Sequence, residues 1–191
     1  MSSNTASPRY RALLDLPIGE LLLIMRRGER PDFDRMAGWE YKGFNRPDYI
    51  KLLGFQKFVK GFYRDETGMA WGYNEPVVQN GRDGAWIARP SPERPKRFGY
   101  YRVRPVDPRE RDHWFLEALL LDYGQGPNPP WEPARFLRDY LVRIEPGSDD
   151  LLLGAAGVAL GPARVPTNFF VLERFRETGW RPSVSGPVAR A

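Results

Sequence analysis

The chain has 191 residues, which suits one domain with a sizeable core, and its 41% hydrophobic content excludes global disorder. It contains no cysteine, which excludes disulfides, zinc–thiolate centres and cysteine nucleophiles. The formal net charge is +5, and the basic excess between Arg82 and Arg104 accounts for it. This basic segment predicts either a solvated loop or an anion-binding site with Arg94, Lys96 and Arg97 as its candidate residues.

The N-terminal part of the chain predicts a tail followed by one helix. Residues 1–12 are expected to form a mobile tail, and residues 13–27 have apolar side chains at helical spacing, with Gly28 as the stop. The start of the chain does not resemble a secretory signal, and no apolar run is long enough to span a bilayer. We therefore expect a cytoplasmic protein without a membrane span.

From residue 37 onward the sequence has aromatic-rich runs separated by clusters of Gly, Pro, Asn or Asp, a pattern typical of antiparallel strands. Nine strands are predicted, at 37–44, 54–64, 69–79, 84–89, 97–106, 113–123, 136–145, 151–160 and 167–176. Residues 13–178 are expected to form a single barrel domain, and residues 179–191 a C-terminal tail.

The strand pattern predicts an all-β fold, an antiparallel up-and-down barrel of about eight to ten strands with one N-terminal α-helix. A barrel of about eight strands is wide enough inside either to be filled by side chains or to hold one small ligand. The strand predicted at 151–160 is apolar on both faces, so the helix is expected to cover it. Its small residues at 154–157 permit either close helix packing or space for a ligand.

Gly38 and Trp39 open the first predicted strand directly after a helix, and a meander of aromatic strands follows. This order resembles the lipocalin and calycin group and lipocalin-like proteins of bacteria. The resemblance implies that the Trp39 indole lies across one barrel end beneath an arginine from a late strand, for which Arg174 and Arg176 are the candidates. It also implies binding of a small hydrophobic molecule.

Several aromatic and acidic side chains are candidates for the wall of such a ligand site. The predicted ligand-binding residues are Trp71, Tyr73, Trp86, Tyr100, Asp122, Asp139 and Tyr140. In strand 136–145, alternation places Leu137, Asp139, Leu141 and Arg143 on one face. That face is either an outer polar stripe or an inward surface on which Asp139 and Arg143 orient a ligand.

The preferred hypothesis is non-catalytic binding of a small hydrophobic molecule in the barrel. One alternative is a cofactor-free isomerase or cyclase that uses a buried carboxylate and a tyrosine. Another is an interaction module built on residues 82–104. His113 is the single histidine, so multi-histidine metal sites are excluded and no metal or cofactor is predicted. Nucleic-acid binding is not favoured, because no known nucleic-acid motif is present, and the oligomeric state stays open.

Overall fold

The computed structural model describes residues 4–46 and 54–182. Three helices come first: α1 (Pro8–Asp15), α2 (Ile18–Arg27) and α3 (Phe33–Met36). Eight strands follow: β1 (Trp39–Arg46), β2 (Lys57–Arg64), β3 (Ala70–Pro76), β4 (Phe98–Pro105), β5 (Leu119–Asp122), β6 (Leu137–Glu145), β7 (Ser148–Leu160) and β8 (Ala163–Glu177). Short 3-10 turns at Tyr123–Gln125 and Pro133–Phe136 lie between β5 and β6.

The strands form a closed antiparallel barrel in which each strand pairs with its neighbours in sequence and β8 pairs with β1. This confirms the predicted fold class. The prediction of a strand at 84–89 is wrong, because these residues form a loop over the outside of the barrel. Within this loop Ala88 makes an isolated bridge to Val77, and Trp86 packs on the barrel wall. The apolar alternation that predicted a strand is explained by this packing.

The predicted helix 13–27 is two helices, because Pro17 interrupts it. Leu16 precedes the proline and is extended (φ −65°, ψ 143°), as sterics before proline require. The first helix begins at Pro8, inside the range expected to be a tail, and its N-cap Ser7 accepts a hydrogen bond from the Tyr10 amide. The Tyr10 side chain is fully buried, so this helix is packed onto the barrel.

The fold contains two apolar layers on opposite sides of the sheet. One fills the barrel interior and includes Phe62, Tyr101 and Leu141. The other lies between the outer face of the strands and helices α1 and α2, and includes Leu14 and Tyr140. Strands with a covered outer face therefore carry buried side chains on both sides, as residues 151–157 of β7 do. The prediction that 151–160 is covered on both faces fails at the end of the strand, where Leu160 is 57% exposed.

The two ends of the barrel differ. Helix α3 closes one end, where Phe33 packs on Phe62 and Arg35 donates a hydrogen bond to the Gly147 carbonyl in the β6–β7 turn. We call this the α3 end. At the distal end β1, β3, β5 and β7 finish and β2, β4, β6 and β8 begin. The β7–β8 ladder continues there to Leu160 and Ala163, beyond the pairing of either strand with its other neighbour.

Glycines face aromatic rings directly across the sheet at four places. The cross-strand pairs are Gly43 with Phe58, Gly61 with Tyr73, Gly72 with Tyr101, and Gly154 with Phe170. A Cβ atom added at any of these glycines would stand 2.1–2.2 Å from the facing ring. Each ring therefore lies flat over the space that a side chain would fill. The rings of Phe58, Tyr101 and Phe170 do so inside the barrel, whereas Tyr73 does so on its outer face.

Candidate functional site

A buried ion pair stands at the centre of the barrel. Lys60 of β2 donates three hydrogen bonds, to Asn74 Oδ1 (2.9 Å), Tyr123 Oη (2.5 Å) and Asp139 Oδ2 (3.0 Å). The Tyr123 hydroxyl in turn donates to Asp139 Oδ2 at 3.0 Å. Each proton of the ammonium group has a partner, which is the condition under which a buried cation is tolerated. We call these four residues the Lys60 network.

Aromatic rings surround the Lys60 network. The rings of Phe58, Tyr101, Tyr123 and Phe170 have their centroids 4.8–5.5 Å from Lys60 Nζ, within the range of cation–π attraction. Burial lowers the pKa of Lys60, and Asp139 opposes this shift by stabilising the charged form.

The middle of the interior is filled by side chains. Phe62, Tyr101, Leu121, Leu141 and Leu172 are all 0% exposed. A void large enough for water would leave accessible surface on the side chains around it, so water-sized space does not adjoin these residues in the described part of the barrel. The space for an inner ligand that the sequence suggested is occupied here by the rings and by Lys60.

Of the predicted ligand-binding residues, Asp139 faces the interior. Strand β6 alternates as predicted. The face that carries Asp139 points into the barrel, so it is the inward surface rather than the outer polar stripe. The inward residues do not form a pair with each other, however: Asp139 binds Lys60, whereas Arg143 lies with its Nε 3.4 Å from Asp149 Oδ1. Sequence analysis missed Lys60, Asn74 and Tyr123 as the partners of Asp139.

The other predicted ligand-binding residues lie outside the barrel and do not form one site. Trp71 donates to Asp65 (2.7 Å), Trp86 donates to the Gly43 carbonyl (3.2 Å), and Tyr140 stacks on Trp114 with centroids 5.6 Å apart. Asp122 forms an ion pair with Arg138 (3.2 Å). The remaining two, Tyr73 and Tyr100, both contact Trp180.

The expected contact at the Trp39 indole is present. The guanidinium carbon of Arg174 lies 4.7 Å from the centroid of the Trp39 ring, and Arg174 also donates to the Arg35 carbonyl at 2.9 Å. Arg176, the other candidate, instead binds Glu40 and Glu75. The last strand, the first strand and helix α3 are thus held together at the α3 end.

A second buried charge cluster lies on the outer face of β1 and β3. Glu40 accepts a hydrogen bond from Tyr73 Oη (2.6 Å), and Arg176 bridges Glu40 Oε2 (2.5 Å) and Glu75 Oε1 (2.9 Å). Arg97 stands 3.7 and 3.9 Å from the same carboxylates. Tyr73, a predicted ligand-binding residue, and Arg97, a predicted anion-binding residue, thus belong to one cluster. We call these five residues the Glu40–Glu75 cluster.

Burial raises the pKa of Glu75 from 4.5 to about 7, and the nearby Glu40 acts in the same direction. Arg176 and Arg97 lower it, but by less than burial and Glu40 together raise it. Since the folded chain holds this proton more tightly than the unfolded chain, the free energy of unfolding is expected to fall as pH rises through the 4.5–7 window. Urea unfolding should be measured between pH 4.5 and 7. The free energy of unfolding should fall less over this range in Glu75→Gln than in the wild type or in the exposed control Glu66→Gln. The same slope in all three proteins would contradict the assignment.

The three predicted anion-binding residues do not form one site. Arg97 belongs to the Glu40–Glu75 cluster and covers Trp180, with its guanidinium carbon 4.4 Å from the ring centroid. Arg94 and Lys96 are exposed. Elsewhere in the basic segment, Arg82 pairs with Asp15 and Arg104 with Glu110. Three of the seven basic side chains between Arg82 and Arg104 are thus paired with carboxylates in the fold.

An apolar cavity lies outside the barrel, between α2 and the outer face of β7–β8. Its volume is about 550 Å³. Ile18, Leu22 and Arg26 line it from one face of α2, at intervals of four residues. The other walls are Trp114, Phe115, Ala155, Ala156 and residues 166–169. We call this cavity the outer groove. Of the small residues at 154–157, Ala155 and Ala156 line the outer groove, whereas Gly154 and Gly157 are covered by the rings of Phe170 and Trp114.

A second cavity of about 730 Å³ lies between residues 5–9 and the ends of β1, β7 and β8. Its walls carry opposite charges that are paired with each other: Lys42 with Glu173 (2.9 Å), Arg174 with Asp150 (2.5 Å), and Arg9 with Glu145. This mutual pairing makes the cavity less suited than the outer groove to an apolar ligand.

Metal ligation is not indicated in the residues that the structure describes, where no group of three His, Asp or Glu side chains is placed to hold an ion. His113 is exposed, and its Nδ1 contacts the Glu110 carbonyl. Within residues 4–46 and 54–182, every helix is too short or too polar to span a bilayer.

Comparisons with models of known protein families, with curated proteins and with solved structures found no significant match to this chain. The eight-stranded antiparallel barrel is consistent with a lipocalin-like fold. Membership of the lipocalin group stays a prediction, supported by the barrel and by the contact between Trp39 and Arg174.

Proposed function

We propose that this protein binds a small, mostly apolar molecule with an acidic group, without converting it, and that the molecule occupies the outer groove. The observation that carries the proposal is the cavity of about 550 Å³ with apolar walls beside a barrel whose centre is filled. Ligand sites for small molecules commonly have volumes of about 300–1,000 Å³ and mostly apolar walls with a few polar groups.

The acidic group is inferred from the polar side chains of the groove. Arg26 lines it, is exposed, and has no ion-pair partner within the described residues. Asn168 lies on the opposite wall. An arginine at the rim of an apolar cavity favours a ligand whose hydrocarbon part enters the groove and whose carboxylate stays at the edge.

One observation supports the enzyme hypothesis, although less strongly. Asp139 and the hydroxyl of Tyr123 are hydrogen-bonded in a dry interior, an arrangement that suits acid–base chemistry. Both groups also contact Lys60, which occupies the position that a substrate would need. For this reason we place the binding function first, and we place it in the groove.

Calorimetric titration with decanoate and with decanol tests the proposal. Both probes should bind the wild type, and Leu22→Trp should abolish binding because the larger ring fills the groove. Leu23→Trp is the matched control: Leu23 is the next residue of α2, is 49% exposed and does not line the groove, so binding should be unchanged. Arg26→Met should weaken decanoate binding about fivefold and leave decanol binding unaltered.

Two results would overturn the proposal. One is the absence of binding of either probe to the folded wild-type protein. The other is equal binding by Leu22→Trp and Leu23→Trp, since a ligand held elsewhere would not distinguish two adjacent positions on the same helix.

A further inference from the structure

The distal end of the barrel exposes large apolar side chains on all four of its connections. Phe55 lies in the β1–β2 connection and Ile87 in the β3–β4 connection, with exposed fractions of 64% and 40%. Trp131 and Phe136 lie between β5 and β6, at 81% and 49%. Leu160 and Val165, at 57% and 44%, belong to the β7–β8 hairpin. We call these six side chains the distal apolar set.

The α3 end is different. Among the described residues, its connections expose Met69, in the β2–β3 turn, and Leu116, in the β4–β5 loop. Single exposed apolar residues are common on soluble proteins, whereas several at one end mark an interaction surface. The asymmetry between the two ends therefore indicates that the distal end contacts a partner.

The arrangement of the distal apolar set indicates the shape of that partner. The side chains come from separate connections around the rim, and the β7–β8 hairpin extends beyond the pairing of its neighbouring strands. None of the six lines the outer groove or the second cavity. Dispersed projecting side chains suit a deformable planar phase, into which each inserts separately, better than a folded protein that would need a matching pocket for each.

Charge in the β3–β4 connection, which also carries Ile87, indicates the chemistry of the partner. Arg89, Arg94 and Lys96 are exposed in the β3–β4 connection and take part in no ion pair within residues 4–46 and 54–182. One acidic residue, Glu93, lies among them. A tryptophan at the most exposed position is typical of groups that reside at the headgroup level of a bilayer, and nearby cations are attracted to anionic lipids.

We propose that the distal end docks on the surface of an anionic lipid bilayer, with the distal apolar set inserted at the interface and the three cations facing lipid headgroups. This surface is separate from the outer groove, so the inference does not depend on the proposed ligand. In this arrangement Arg89, Arg94 and Lys96 contact lipid headgroups. The β7–β8 hairpin, whose projecting end is not needed to close the barrel, contacts the bilayer.

Co-sedimentation with vesicles tests this inference. The 191-residue chain should bind vesicles of mixed phosphatidylcholine and phosphatidylglycerol, and it should bind phosphatidylcholine alone much more weakly. Its affinity for the mixed vesicles should fall as the salt concentration rises. The double variant Trp131→Ala/Leu160→Ser should bind the mixed vesicles about tenfold or more weakly, because it removes two inserted side chains. The double variant Arg94→Glu/Lys96→Glu should lose the preference for anionic lipid.

Met69→Ser is the matched control, since Met69 is also exposed but lies at the α3 end; its vesicle binding should equal that of the wild type. Leu22→Trp should bind vesicles normally, which separates this inference from the proposed ligand site. The inference is overturned if the wild type binds neither kind of vesicle. It is also overturned if Met69→Ser weakens binding as much as the distal variants.

Discussion

Replacing Lys60 by methionine is expected to destabilise the protein by about 3–5 kcal/mol, the usual cost of removing one partner of a buried ion pair. The substitution leaves Asp139 in the barrel with Tyr123 as a hydrogen-bond donor and without a compensating charge. Its Oδ1 atom already has no hydrogen-bond partner in the described structure. Urea unfolding monitored by circular dichroism measures the difference in the free energy of unfolding.

The double variant Lys60→Met/Asp139→Leu should recover most of this loss, because both charges are removed together and the space stays filled by apolar atoms. Asp139→Leu alone should also be destabilising, since it leaves the ammonium group buried. A Lys60→Met variant as stable as the wild type, or a double variant with the summed loss of the two single variants, would show that the two groups do not interact as described.

Replacing Gly154 by alanine is expected to destabilise the barrel by about 1–3 kcal/mol, the usual cost of overpacking a filled core. The new Cβ would stand 2.1 Å from Cζ of Phe170, whose ring lies directly across the β7–β8 pair. Because the ring is 1% exposed and held among the residues of the inner layer, it has little space to move away.

Gly19→Ala is the control for Gly154→Ala. Nothing lies within 4 Å of a Cβ added at Gly19, which is in helix α2. There the substitution should be neutral or should stabilise the protein by up to about 1 kcal/mol. Thermal and urea unfolding of both variants give the comparison. Equal effects at the two positions would contradict the role assigned to the glycine–aromatic pairs.

Much of the fold could be predicted from local pattern. Alternating apolar residues and turn clusters locate the strands, and the closed antiparallel barrel follows from many consecutive strands with short connections. The errors lie where a local pattern has two physical explanations. Residues 84–89 alternate as a strand would, yet Trp86 is buried by packing over the barrel wall. Pro17 is compatible with the first turn of a helix, yet here it separates α1 from α2.

The candidate site could be predicted less well, because it depends on partners that are distant in sequence. Alternation correctly grouped Asp139 with the inward residues of its strand, but the identity of its partner is set by the register of β2 and β3. Nothing near Asp139 in the sequence indicates Lys60, which lies 79 positions away, since partner identity in a barrel comes from strand order and register.

The second apolar layer also limits prediction. Trp71, Tyr73 and Tyr100 were assigned to an inner wall because aromatic residues on strands usually face a core. In this fold the outer face is itself covered at Tyr73, by Trp180 and Arg97, so an aromatic residue is buried on either face. Where both faces of a sheet are covered, composition no longer distinguishes inside from outside.

The central claim is that the barrel interior is filled and that the ligand space lies outside it. Methyl NMR during titration with decanoate tests it most directly. The methyl signals of Ile18, Leu22 and Ala155 in the outer groove are expected to shift on titration, while those of Leu121, Leu141 and Leu172 inside the barrel stay in place. Shifts of the interior leucines without shifts in the groove would contradict it.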